Sequence, residues 1–249
     1  MRYTILDIAK NIQEKKISVS EIVKLMFENI KNNDVNAYIS TFEESAVKKA
    51  KNLDDKIKKL TEDERCKLPL LYGIPLAIKD MFCTKEGKTT GASKILENYE
   101  SPIESTITQN FLNNDAIFIG KANQDEHAMG SSNETSYFGN VKNPLDKNRS
   151  AGGSSGGSAA AVCTNQALGS VGTDTGGSVR LPASYTGLVA MRPTYGSCSR
   201  YGILDFANSF DQPGPMSKTV KDNDIILNEM YRYDVKDGQS AKTNKKWFL

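Results

Sequence analysis

Lys79, Ser154 and Ser178 are the side chains in this 249-residue sequence best suited to covalent chemistry. Lys79 follows the apolar run Ile74-Pro-Leu-Ala-Ile78, so a strand there would present it at a sheet end. A lysine amine accepts a proton only when neutral. Burial among apolar groups favours that state, lowering the pKa from about 10.4. Ser154 sits in Gly152-Gly-Ser-Ser-Gly-Gly-Ser158, and Ser178 closes Gly172-Thr-Asp-Thr-Gly-Gly-Ser178. Glycine neighbours let a carbonyl substrate approach the backbone, and successive N–H groups at a helix start can bind an oxyanion. Together these groups suit acyl transfer by a serine nucleophile with a lysine as its base. A surface lysine and two tight turns ahead of helices is the plainer alternative, and the residues alone leave it open.

Other chemistries are excluded by residue count or spacing. His127 is the only histidine, which removes mechanisms and metal centres needing two or more. Gly152-x-Ser154-x-Gly156 is formally a nucleophile-elbow pattern, but that triad needs its histidine after the serine, and His127 comes before it. A packed or half-exposed ring is the expectation for His127. Gly87-Lys88-Thr89 has Phe82 where a phosphate-binding loop needs its first glycine, and no G-x-G-x-x-G occurs. Lys and Arg number 32 against 30 Asp and Glu, so the chain is no obvious electrostatic nucleic-acid binder. A shared RNA role stays open. The cysteines, Cys66, Cys83, Cys163 and Cys198, lack C-x-x-C spacing and read as free thiols. No apolar run approaches the roughly 18 residues of a membrane span. The N-terminus has neither the apolar core of a signal peptide nor the Arg/Ser-rich character of a transit peptide. The expected compartment is the cytoplasm, with a mitochondrial or plastid matrix as the alternative.

Several elements must position these groups. Thr4 and Ser18 precede apolar stripes of helical period, predicting two helices over 4–31. Residues 37–41 read as a strand. Residues 43–65 read as one charged helix with an Ala46, Val47, Ala50, Leu53, Ile57, Leu60 face. Residues 104–113 look helical, and Ala116–Ile119 is a buried strand closed by Gly120. An Ala-rich helix over 158–163 and a small-residue strand over 167–172 follow. Strands alternating with helices predict an α/β fold with some parallel pairing. The domain expectation is a helical region over 1–66, a core over 67–235 and a frayed polar tail over 236–249.

With these elements in place, the sequence resembles the amidase signature family, whose catalytic unit is Ser–cis-Ser–Lys. The stretches that carry the likeness are Gly73-Ile-Pro-Leu-Ala-Ile-Lys-Asp80, Gly152–Ala159 and Gly172-Thr-Asp-Thr-Gly-Gly-Ser-Val-Arg180. The separation of Ser154 and Ser178 matches the family's spacing. Met129-Gly-Ser-Ser-Asn-Glu-Thr-Ser-Tyr137 and Ala207-Asn-Ser-Phe-Asp-Gln-Pro-Gly214 draw it towards the A-subunit branch of glutamyl-tRNA(Gln) amidotransferases. The resemblance implies that Ser178 is the acylated nucleophile, that Ser154 bridges it with a cis peptide bond, and that Lys79 is the terminal base. The N–H groups of Thr175, Gly176, Gly177 and Ser178 correspond to the oxyanion hole. Met129 and Gly130 correspond to the loop touching the substrate amide. No metal is implied. The fold implied is a mixed sheet flanked by helices.

In that branch the substrate is glutamine, and its ammonia amidates Glu-tRNA(Gln), with Asp-tRNA(Asn) as a further acceptor. The amidotransferase B and C subunits complete a heterotrimer. No cofactor is implied for this chain, since ATP and Mg are used by the partner B subunit, which also carries the tRNA. The competing expectations are an amidase for another small amide and a non-catalytic remnant. His127 stands where relatives usually carry Phe, Ser150-Ala151 replaces a usual Val-Pro, and Arg192 and Ser197 also differ. Family members usually continue well beyond this length, so the fold is expected to be incomplete at the C-terminus. An edge strand should then be unpaired, an apolar face uncovered, and the glutamine α-amino and α-carboxylate contacts missing.

Overall fold

A computed structural model describes residues 3–242. Thr4 caps α1 (Ile5–Gln13) by accepting the Asp7 N–H, and Ser18 opens α2 (Val19–Lys31) with a reciprocal capping box to Glu21. Their apolar residues recur every three or four positions, so each helix buries one face. β1 (Tyr38–Thr41) leads into α3 (Glu43–Lys58). The single helix expected over 43–65 is split, because Thr61 forms its own capping box with Glu64 and starts α4 (Glu62–Cys66). Val47, expected on the apolar face, is exposed, while Ala46, Ala50, Leu53 and Ile57 are buried. One residue on from Ala46, Val47 is turned about 100° round the helix.

β2 (Pro75–Lys79), α5 (Thr106–Asn113) and β3 (Ile117–Ala122) follow. β3 does not close at Gly120, since pairing with β2 continues to Lys79 opposite Ala122. A small hairpin, β4 (Lys142–Asn143) and β5 (Asp146–Ser150), precedes α6 (Gly156–Cys163). Then come β6 (Gly169–Asp174), α7 (Arg180–Thr186), β7 (Val189–Ala190), β8 (Gln212–Ser217) and α8 (Val220–Met230).

The main sheet is mixed, in the order β1-β3-β2-β6-β8-β7. β2 runs parallel to β3 and β6, and the other pairings are antiparallel. Leu76 and Ile78 of β2 join the larger core with side chains of α1, α2, α3, α5 and α8. Ala77, on the opposite face, packs with Ala160 and Ala161 of α6. Strand alternation puts Lys79 on that α6 face as well. Residues Gly156–Val162 of α6 are all buried, so this central layer accommodates a helix of small side chains, its one polar member there, Ser158, donating to Val171 O.

The sheet edge expected to be open is blunted. It ends in the two-residue β7, and the adjacent β8 carries Pro213 and Pro215, which have no N–H to offer. Met191 just after β7 and Phe210 just before β8 are exposed. The tail also departs from expectation up to Ala241. Arg200 grips Asp237 through Nη2 at 2.7 Å and Nε at 3.1 Å, Ser199 Oγ donates to Asp234 at 2.6 Å, and the Ala241 N–H donates to Gly196 O at 2.7 Å. The rest of that expected tail, residues 243–249, lies outside the described residues. No helix among the described residues is long and apolar enough to cross a membrane.

Candidate active site

Lys79 is fully buried at the end of β2. Its Nζ donates to Ser154 Oγ at 2.7 Å and Thr173 Oγ1 at 2.8 Å, with Thr173 O at 3.4 Å. Burial pushes its pKa down to about 7, against the upward pull of the Asp125, Asp174 and Asp211 carboxylates. In the neutral amine, two N–H bonds suffice for the Thr173 oxygens, and the lone pair is left for the Ser154 hydroxyl. A base titrating near neutrality is well matched to proton transfer.

This burial has a stability consequence. An unfolded lysine holds its proton to about pH 10.4, whereas folded Lys79 releases it near 7. Between those values the unfolded state binds more protons, so stability rises with pH across the window. Below it the full cost of burying the charge is carried. Lys79→Met is therefore expected to stabilise the chain most at or below about pH 7, the gain shrinking towards about pH 10. Urea unfolding near both pH values checks this. An equal gain at the two would mean that Lys79 is not buried as a neutral amine.

Ser154 follows a cis peptide bond from Gly153 and is fully buried at the entrance to α6. The Asp125 N–H donates to Ser154 O at 3.1 Å, and the Ser155 N–H donates to Ser178 O at 3.1 Å. The second bond ties the bridging-serine turn to the loop that carries Ser178. Ser178 itself lies two residues ahead of α7 and is 9% exposed.

Asp174 shapes the Ser178 loop. Its carboxylate accepts the Gly177 N–H at 2.8 Å and the Val179 N–H at 3.2 Å. Arg180 adds Nε and Nη2, both at 3.0 Å, and Arg192 Nε stands at 3.3 Å. Burial alone would raise its pKa, but Arg180 and these N–H donors hold the carboxyl below its usual range. Gly177 therefore departs from expectation: its N–H points at Asp174 and is not free for an oxyanion. Among the described residues no hydrogen bond engages the N–H of Thr175, Gly176 or Ser178. Thr175 is steadied through its hydroxyl, which donates to Asp211 Oδ1 at 2.5 Å. The other Asp211 oxygen takes the N–H groups of Phe206 and Ala207.

Met129 and Gly130 lie on an exposed stretch after the short 3-10 turn Glu126–Ala128. The Gly153 N–H donates to Ser131 O at 2.7 Å, fastening that stretch to the Ser154 turn. His127 is half-buried on the same turn. Its N–H donates to Gly91 O at 2.7 Å and its ring lies against Gly91.

Thr173, Asp125 and Asp211 are site residues that residue type and spacing do not single out. The only available signal is their position within or beside the glycine-rich and polar stretches.

Residues 21–248 match the family model described as Amidase. The chain is 52% identical over 238 residues to the glutamyl-tRNA(Gln) amidotransferase A subunit of Pelagibacter ubique (strain HTCC1062), covering 95% of this chain and 47% of that protein. The crystal structure of the Thermotoga maritima glutamyl-tRNA(Gln) amidotransferase A subunit superposes with a TM-score of 0.82 at 40% identity, over 97% of this chain and 49% of that one. The Stenotrophomonas maltophilia peptide amidase gives 0.88 at 26% identity, over 97% and 50%. The chain spans about half the length of the relatives it matches. A family match over most of its residues, carried on a mixed sheet with Lys79 bonded to Ser154 beside the Ser178 loop, shows that the chain belongs to the amidase family.

Proposed function

We propose that this chain supplies the acyl-transfer groups of a glutaminase that feeds ammonia to a tRNA-dependent amidotransferase. The observation carrying the reading is the buried Lys79 amine on Ser154, with the Ser178 loop bonded to the next residue. Ser178 Oγ attacks the side-chain amide carbon while its proton passes through Ser154 to Lys79. The oxyanion that forms is met by the free N–H groups of Thr175, Gly176 and Ser178. The C–N bond then breaks, and the Lys79 ammonium returns the proton through Ser154 to the departing ammonia. Water attacks the acyl-enzyme by the same path, releasing glutamate and regenerating Ser178.

Glutamine is preferred to other amides as substrate because the chain is 52% identical to one of the amidotransferase relatives and 26% identical to the peptide amidase. Under this reading the amidotransferase B and C subunits are the partners. ATP- and Mg-dependent activation of Glu-tRNA(Gln), or of Asp-tRNA(Asn), belongs to the B subunit.

Assembled with those partners, the chain is expected to release ammonia from glutamine at least about tenfold faster than from a C-terminally amidated dipeptide. Ammonia assays on both substrates decide it. The opposite order would favour the peptide-amidase chemistry of the structural neighbour.

A further inference from the structure

Three buried carboxylates bear on the Lys79 amine: Asp125 after β3, Asp174 ending β6, and Asp211 before β8. Two already have a place in the site. Asp174 is paired with Arg180 and Arg192, and Asp211 steadies Thr175. Asp125 is fully buried and takes part in no ion pair among the described residues. A buried carboxylate without a counter-ion survives only if N–H and O–H donors hold it.

Here those donors come from one segment. Asn133 N donates to Asp125 Oδ2 at 2.9 Å, and Thr135 donates to Oδ1 through Oγ1 at 2.9 Å and N at 3.4 Å. The Asp125 backbone N–H meanwhile holds Ser154 O. A Cβ at Gly130 or at Gly153 would overlap the Asp125 carboxylate, so the substrate-loop glycine and the glycine before the bridging serine are both packed directly on it.

We propose that Asp125 is a positioning residue: its carboxylate locks the Met129–Thr135 loop onto the Ser154 turn and lays an uncompensated negative charge beside the Lys79–Ser154 pair. The proposal rests on the reading of Lys79 as the base. The loop that meets the substrate amide and the hydroxyl that relays the proton are thereby placed by one group. The charge also favours the lysine proton, so Asp125 offsets part of the effect of burial.

The test needs no turnover. The chain is labelled with 15N and with 13C-lysine, and Lys79 Cε is titrated in the wild type, Asp125→Asn and Asp234→Asn. Asp234 is a buried carboxylate tied to Thr106 and Ser199. In Asp125→Asn the Lys79 midpoint should fall by at least about half a unit. Amide protons of residues 131–135 should exchange about tenfold faster, with those of 177–180 unchanged. Asp234→Asn should show neither change.

An unmoved Lys79 midpoint, or an exchange increase spread evenly over the chain, would overturn the proposal and leave Asp125 as an ordinary fold residue. A wild-type midpoint near 10 would instead overturn the base reading itself. Thr135→Val serves if Asp125→Asn does not fold. It should loosen residues 131–135 without moving the Lys79 midpoint, and full retention of their protection would overturn the proposal.

Discussion

Ser178→Ala is expected to abolish acyl-enzyme formation and to cut glutamine hydrolysis by on the order of 10⁴-fold or more, as for other enzymes stripped of their nucleophile. The alanine removes the hydroxyl that the proposed mechanism uses as nucleophile, on the loop tied to the Ser154 turn. The loop should survive the change, because Asp174 holds it through Gly177, Val179 and Arg180, and Ser155 binds the backbone carbonyl of residue 178. Intact-mass measurement after rapid mixing with glutamine would show the glutamyl adduct in wild type and none in the variant. Wild-type turnover by Ser178→Ala would remove Ser178 from the mechanism.

Lys79→Ala is expected to lower kcat/KM by at least about 10²-fold, the low end for loss of a general base. The variant also leaves the Ser154 and Thr173 hydroxyls without their shared hydrogen-bond partner. His127→Phe should change the same constant by less than about twofold, within the ordinary range for a side chain that touches no reacting group. His127 meets Gly91, and among the described residues no hydrogen bond joins it to the Lys79–Ser154 pair. Measuring both variants across pH separates the two candidates. A silent Lys79→Ala with a damaged His127→Phe would mean that the proton acceptor has been misassigned.

The site is readable in the sequence where its chemistry is local. Ser154 and Ser178 announce themselves through flanking glycines, and Lys79 through the apolar run it ends. Helix starts are equally plain at Ser18 and Thr4, where a capping side chain sits three residues from its partner. Thr61 belongs to the same class, and its capping box with Glu64 is the cue that divides α3 from α4 against the expectation of one helix. The least legible element is β8. Gln212–Ser217 contains two prolines and a glycine, so no alternation marks it as a strand. It is a strand because β6 pairs along its length.

Residue type and spacing are thus enough for an α/β class with some parallel pairing, for marking Lys79, Ser154 and Ser178 as candidates and for setting histidine catalysis aside, because each depends on short-range pattern or on a count. The mixed sheet and the roles of the three residues come from the family resemblance. Which N–H groups remain for an oxyanion, which hydroxyl besides Ser154 meets the lysine, and which carboxylate lies uncompensated beside it are decided by folding. Those facts are distances between residues far apart in the chain: Thr173 from Lys79, Asp125 from Gly153, Asp211 from Thr175. Gly177 makes the point over a short span, since the same four glycine-rich residues could offer four donors or three. The turn of the Asp174 carboxylate, set by Arg180 and Arg192, removes one. The pKa of Lys79 follows the same rule, because burial is a property of the packed sheet and α6 and is written in no single residue.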